Sequence, residues 1–397
     1  MHSCGPLWMS LALLVFAATV GAGDVPEQLR LALTGVNGEM VVGWTTQLDA
    51  GSTVEYTCDG CGHFTVEGNA SRYSIPAYTP PYTSPLLHCT AFVLYSYRVG
   101  HSKTGWSWTH QFMTKADVQP TPDSPLRFLS IGDEGTIKGA KEVLAGMLVA
   151  QEKFHFDFLV HGGDISYANG IQDIWDQWGQ LVPWMVSVGN HEMRPNQTDA
   201  GFLYRFAMPT AQSGGESGNM YYSFDYGNAH MIALESEAQN FSAQYDWLKR
   251  DLAQVNRTVT PWIIGFWHRP WYSSNVEHAG SGDVMRGALE ALFFDNRVDM
   301  VITGHVHCYE RTLPVYQGAL NDEAPFYITN GAGGNGMDDT WGDAPEWSAK
   351  RLAAYGFGYV ELFNATHLHW TMRSSSDSAV IDEAWLVRPA DRFQTRR

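Results

Sequence analysis

One phrase recurs between residues 126 and 307 and constrains this chain more than any other feature. A run of apolar residues closes on glycine and then on a side chain able to bind metal. It appears as "LRFLSIGD", "FDFLVHGGD", "VPWMVSVGNHE" and "VDMVITGHVH", while "PWIIGFWH" ends directly on histidine. Apolar runs without alternation suit strands buried on both faces. Helix-like segments separate them: over 136–153, Ile137, Leu144, Met147 and Leu148 share a face, and Leu248, Leu252 and Val255 repeat at helical spacing. Strands alternating with helices specify a layered α/β domain. In open α/β sheets ligands gather beyond the carboxyl ends of strands, so these clusters are expected to converge. Gly132, Gly163, Gly189 and Gly304 each precede a cluster and would let the backbone turn sharply.

Any one cluster means little, since a lone Gly-Asp is usually a turn and a lone core histidine usually just hydrogen-bonded. Five in order, each at a strand end, argue for a site. Its donors are mixed: Asp133, Asp164, Tyr167, Asn190, His268, His305 and His307. Carboxylate, phenolate, amide and imidazole suit iron, zinc or manganese and not a soft thiolate site. Seven donors suffice for two metals that share a bridging carboxylate, as hydrolytic two-metal sites require.

Residues 24–118 follow another grammar. Short strand-like runs ("LRLALT", "MVVGWTT", "STVEYT", "FVLYSYRVG", "WSWTHQFMT") are spaced by turn residues, and Trp106, Trp108, His110 and Phe112 repeat with period two. This predicts an antiparallel β-sandwich. "KADVQPTPDSPL" then reads as a linker, and the second domain is expected over 126–373, with 374–397 an extension. The start of the chain carries an apolar stretch of about 14 residues, Leu7–Val20, ending in small residues, so 1–23 reads as a secretory signal. Asn69, Asn196, Asn240, Asn256 and Asn364 head N-x-S/T acceptors, which fits secretion or an endomembrane or lysosomal lumen. In an oxidising compartment Cys58 can pair with Cys61, or either with Cys89. A formal charge of −17 argues against a nucleic-acid partner.

In combination, GDxG, GDxxY, GNHE, a lone histidine and GHxH resemble the purple acid phosphatases, a branch of the calcineurin-like metallophosphoesterases. "HRPWYSS", "GHVHCYERT" and "NGAGGN" match as flanks. The sandwich followed by a catalytic domain is similar to the large plant-type members. The resemblance implies a fibronectin-III-like domain at 24–118, then a catalytic β-sandwich of two mixed sheets flanked by helices. General metallophosphoesterases carry D-x-H at the first cluster, where this chain has Gly135, and Tyr167 would replace that imidazole. The resemblance assigns Fe(III) to Asp133, Tyr167 and His307, with Asp164 as the bridge. A divalent zinc, manganese or iron falls to Asn190, His268 and His305.

By the same resemblance, metal-bound hydroxide attacks a phosphomonoester. Asn190, His191 and His278 bind the phosphate, and the two histidines assist the leaving group. Glu277 stands where the family commonly has another histidine. Glu192, Glu310 and Arg311 are expected behind the ligands. A phosphodiesterase or nucleotide pyrophosphatase on the same metals is the alternative, and a non-catalytic secreted binding protein a further one. The substrates expected are small phosphate esters.

Overall fold

The computed structural model describes residues 25–389 apart from 37, 49–50, 59–61, 76–80, 94–95, 104, 112–118, 177–182, 194–199 and 216–217. The leader, Cys61 and Asn196 therefore lie outside the described residues.

Two antiparallel sheets form the N-terminal sandwich. One runs Glu27–Leu33, Glu39–Thr46, Leu86–Val93, Asn69–Ser71; the other runs Gly105–Trp106, Ser96–His101, Thr53–Cys58, Gly62–Glu67. Alternation does the sorting: Met40, Val42 and Trp44 point inward and are fully buried, as are Val54 and Val99 opposite. The stretch read as one strand from Trp106 is instead two short pieces, Gly105–Trp106 and His110–Gln111, and Trp108 is 88% exposed. Ser107 interrupts it: its Oγ accepts from the Val99 N–H and donates to the Trp108 carbonyl, which breaks the ladder. Cys89 is unpaired, so neither bridge to it forms.

The second domain contains two mixed sheets. The six-stranded sheet runs Trp184–Val186, Phe158–His161, Leu126–Ile131, Gly356–Leu362, His367–Ser374, Val380–Val387, its first three strands parallel. The seven-stranded sheet runs Tyr222–Tyr226, Ala229–Ala233, Trp262–Trp267, Met300–Thr303, Phe326–Asn330, Tyr309–Thr312, Ser348–Leu352, with Ala229 through Asn330 contributing four parallel neighbours. Strand Val380–Val387 belongs to the stretch beyond 373, so that extension completes a sheet.

Helix Lys138–Phe154 covers the six-stranded sheet, while Ser242–Gln254 and Asp283–Asp295 cover the other through Trp247, Leu248, Leu289 and Phe293. Of the face that the first helix's large residues suggest, Met147 is buried and Leu144 packs against the core, but Ile137 and Leu148 turn outward. Ala140, Val143, Met147 and Ala150 are buried, whereas Ile137 is 50% and Leu148 39% exposed. Small residues form the contact because the helix lies very close to its neighbours: a Cβ at Gly139 would meet the Gly334 carbonyl at 2.3 Å.

Candidate metal centre

The parallel strands of both sheets end at one place. Asp133 follows strand Leu126–Ile131, Asp164 follows Phe158–His161, Asn190 follows Trp184–Val186, His268 follows Trp262–Trp267, and His305 follows Met300–Thr303. The bends that present them are unusual for side-chain-bearing residues: Asp133, Asp164, Tyr167 and His305 all have φ between 51° and 71°. Such conformations persist where the surroundings over-determine them. Two glycines act by close approach: a Cβ at Gly189 would sit 2.3 Å from Asp164 Oδ1, and one at Gly304 2.5 Å from Asp133 Oδ2.

All seven sequence-derived donors come together, and they fall into two sets. In the first, the Tyr167 hydroxyl donates to Asp133 Oδ1 at 2.8 Å and lies 2.7 Å from His307 Nε2, which is 3.3 Å from the same carboxylate. In the second, His268 Nε2 lies 3.0 Å from Asn190 Oδ1, 3.0 Å from His305 Nδ1 and 3.2 Å from Asp164 Oδ2. His268 spends its Nδ1 proton on the Gly162 carbonyl at 2.8 Å. Three acceptor atoms therefore crowd around His268 Nε2, which can bring them at most one proton. A cation fits that chemistry, and Asp164, His268 and His305 are all buried around it.

The titration shifts have the same origin. Burial opposes charge on His268, but Asp164 outweighs it and raises the imidazole to about 10. Burial disfavours the Asp164 carboxylate as well, and His268 reverses that, so its pKa falls. His305 is driven far down by burial, with His268 and Arg269 adding to it. For Tyr167, burial and then Asp133 push the phenol far up. A cation in contact would remove that penalty on the phenolate.

Asp164 also accepts the His191 N–H at 2.7 Å, and its Oδ2 lies 3.6 Å from His191 Nε2. The His191 ring packs 4.2 Å from Tyr167, and its Nδ1 donates to Asn169 Oδ1. His278 is half-buried, its ring 4.4 Å from His305 and its Nε2 3.5 Å from Asp338 Oδ2; Glu277 beside it is exposed. Glu192 accepts three backbone N–H groups, from Asp164, Ile165 and Gly189, each at 2.9 Å, and so fixes two of the strand ends. Glu310 ties Ser274 and Ser348 together, Arg311 pairs with Asp382, and Cys308 is buried and unpaired.

Sequence reasoning passed over Asn169, Asp338 and Glu237. Asn169 and Asp338 sit in loops with no strand-end signal. Glu237 had one: "MIALESE" is another apolar run closing on polar residues.

The fold and centre define a calcineurin-like phosphoesterase, and the model of that description matches residues 116–309. A second, "Iron/zinc purple acid phosphatase-like protein C", matches 324–383. "Purple acid phosphatase 18" of Arabidopsis thaliana is 37% identical over 92% of this chain and 85% of its own length. "Fe(3+)-Zn(2+) purple acid phosphatase 12" of the same plant is 31% identical over 94% and 86%. Among solved structures, yellow lupin purple acid phosphatase PPD1 superposes with a TM-score of 0.80 at 23% identity, covering 94% of this chain and 76% of its own. The chain belongs to the purple acid phosphatase family.

Proposed function

We propose that this protein is a two-metal acid phosphatase hydrolysing small phosphomonoesters. The carrying observation is the division of seven donors into two sets with the buried Asp164 beside the second. Asp133, Tyr167 and His307 would hold ferric iron, for which a phenolate is a suitably hard anionic donor. Asn190, His268 and His305 would hold zinc, manganese or ferrous iron, and Asp164 would serve both. The iron and zinc named for a relative support this pairing. Bound there, the ions would neutralise phosphoryl oxygens and acidify a coordinated water.

The chain's own groups do the remaining work. Asn169 Oδ1 accepts a hydrogen bond from the Nδ1–H of His191, which leaves Nε2 as the atom facing the centre. In its charged form that atom delivers a proton to the departing ester oxygen. His278, beside His305, contacts the phosphate with Asn190 and assists the same step. Burial of Asp133, Asp164 and His268 keeps bulk water from the floor of the site.

Metal analysis, visible absorption and rates on mono- and diesters from pH 4 to 8 test the reading. One iron and one divalent ion per chain, a tyrosinate-to-iron band and a monoester preference are expected. Iron-free, colourless protein refutes the ligand assignment, and diester rates well above monoester rates refute the substrate class.

We also place the protein in the secretory route or an endomembrane lumen. Asn69, Asn240 and Asn256 are exposed acceptors, and Asn364 is partly so. No described helix is long and apolar enough to cross a membrane. A glycosidase-sensitive mass shift of protein from its native source is expected, and its absence overturns the placement.

A further inference from the structure

Among the described residues, Arg269 is the one lysine or arginine within hydrogen-bonding distance of any of the seven donors. It follows His268 directly, and it is held from three directions. Its N–H donates to Ser236 Oγ at 3.0 Å, and its carbonyl accepts from Trp267 Nε1 at 2.8 Å. The guanidinium meets Glu237 edge-on: Nε lies 2.8 and 2.9 Å from the two carboxylate oxygens, and Nη2 2.7 Å from Oε2. Glu237 is almost wholly buried (side chain 7% exposed), so this edge is occupied and fixed.

That pairing leaves Nη1, which lies 3.1 Å from His305 Nε2, and no acceptor among the described residues takes both of its hydrogens. The Arg269 side chain remains 25% exposed. The surrounding ionisable groups are otherwise histidines, Tyr167 and the carboxylates Asp133, Asp164, Glu192 and Asp338. An anionic substrate entering here needs a donor with fixed direction, and an arginine fork clamped on one edge offers that at little cost in side-chain entropy.

We infer that Arg269 is a substrate-binding residue, donating from Nη1 to a non-bridging phosphoryl oxygen on the His268–His305 side of the centre, with Glu237 as its positioning residue. The inference rests on the phosphatase reading and adds to it a ligand contact outside the seven donors and the two histidines.

The test uses the full metal-loaded chain. Inorganic phosphate binding is measured by calorimetry, together with metal content and the kcat and KM for a small phosphomonoester. Arg269→Ala should weaken phosphate and raise KM by about tenfold, with a smaller change in kcat and both metals retained. Arg269→Lys should recover part of the loss, because it keeps the charge but not the fork. Glu237→Gln should weaken phosphate less than Arg269→Ala does.

Unchanged phosphate affinity in Arg269→Ala with both metals bound overturns the inference. So does loss of the divalent ion with a normal KM in the fraction still loaded, since Arg269 then serves only His305. Should the alanine variant fail to fold, Arg269→Gln is read by the same criteria. Wild-type protein that binds two metals yet neither binds phosphate nor turns over esters overturns the phosphatase reading instead, a result distinct from either.

Discussion

At the scale of single residues, Tyr167 carries the sharpest consequence. Its hydroxyl has one proton and two claimants, Asp133 Oδ1 and His307 Nε2. Burial and the nearby carboxylates make its phenolate costly without a cation. A ferric ion among the same three groups reverses that sign, which is why phenolate and iron are expected together. Tyr167→Phe keeps the ring against His191 and removes the oxygen. The variant should lose the visible band and bind iron more weakly, by roughly 10- to 100-fold as when a ligand's environment is broken, while its divalent ion stays. Absorption spectra with elemental analysis check this, and a retained band refutes the phenolate. The seven donors were legible in the sequence because residue type announces chemistry: apolar strands that end in carboxylate, amide and imidazole have few other reasons to do so. Asn169, Asp338 and Glu237 were not. An amide or carboxylate in a loop is ordinary, and what gives each its role is a contact made only after folding, to His191, to His278 and the His307 backbone, and to Arg269.

At the scale of elements, two packing devices behave against first expectation. Helix Lys138–Phe154 contains Gly139 and Gly146, and in a free helix Gly→Ala gains about 1 kcal/mol. Here a Cβ at Gly139 meets the Gly334 carbonyl at 2.3 Å, and backbone does not move aside as a side chain would. The steric cost should win, and Gly139→Ala should lose about 1–3 kcal/mol in denaturant unfolding. An equal or higher midpoint would show that the helix can lift away. This also explains why Ile137 and Leu148 of the expected face lie outside the contact: patterns weight large apolar residues, while the closest contact is made by glycine and alanine. The second device is His230, which joins hairpin Tyr222–Ala233 to helix Ser242–Gln254. Its Nδ1 meets Asp225 at 2.6 Å and its Nε2 meets Asp251 at 2.9 Å. Burial disfavours the charged ring, but the hydrogen bonds of Asp225 and Asp251 outweigh it and raise the pKa from 6.5 to about 9. A raised pKa stabilises the fold fully below the unfolded value, and the contribution fades as pH climbs through about 9. Integrated over that window it is about 3 kcal/mol, an order-of-magnitude figure. His230→Asn should therefore cost far more stability at pH 6 than at pH 9.5. Equal costs at both values would remove the charge from the account.

At the scale of the whole molecule, the change of sequence grammar at the Pro- and Ser-rich linker suggests two separable units, and the folded contacts join them. One apolar cluster runs from Leu31, Leu33 and Met40 in the sandwich to Trp184, Met185, Phe202 and Met208 in the catalytic domain. Leu31 pairs with Pro183 beside the edge of the six-stranded sheet. Around this seam lies a polar clasp. Arg205 donates from Nη2 to Asp176 Oδ1 and from Nη1 to Gln28 Oε1, both at 2.6 Å, and its carbonyl accepts from Arg30 Nε at 2.8 Å. Tyr73 and Tyr82 reach across to Gln172 and Asp176. None of this follows from periodicity, because the partners sit at strand edges and loop ends far apart in sequence. A shared core predicts that sandwich and catalytic domain unfold together, in one calorimetric transition. Arg205→Met tests the clasp with little change in apolar volume, since methionine replaces the buried stem. The Arg205 side chain is 1% exposed and that of Asp176 31%, so the abandoned carboxylate regains water and the loss stays below that of a fully buried pair. A destabilisation of about 2–3 kcal/mol is expected. Because it falls on the seam, the sandwich should now melt ahead of the metal-holding domain. Phosphatase activity, measured below the first transition, should be retained. A single transition at the wild-type temperature would mean that the apolar cluster alone couples the two domains.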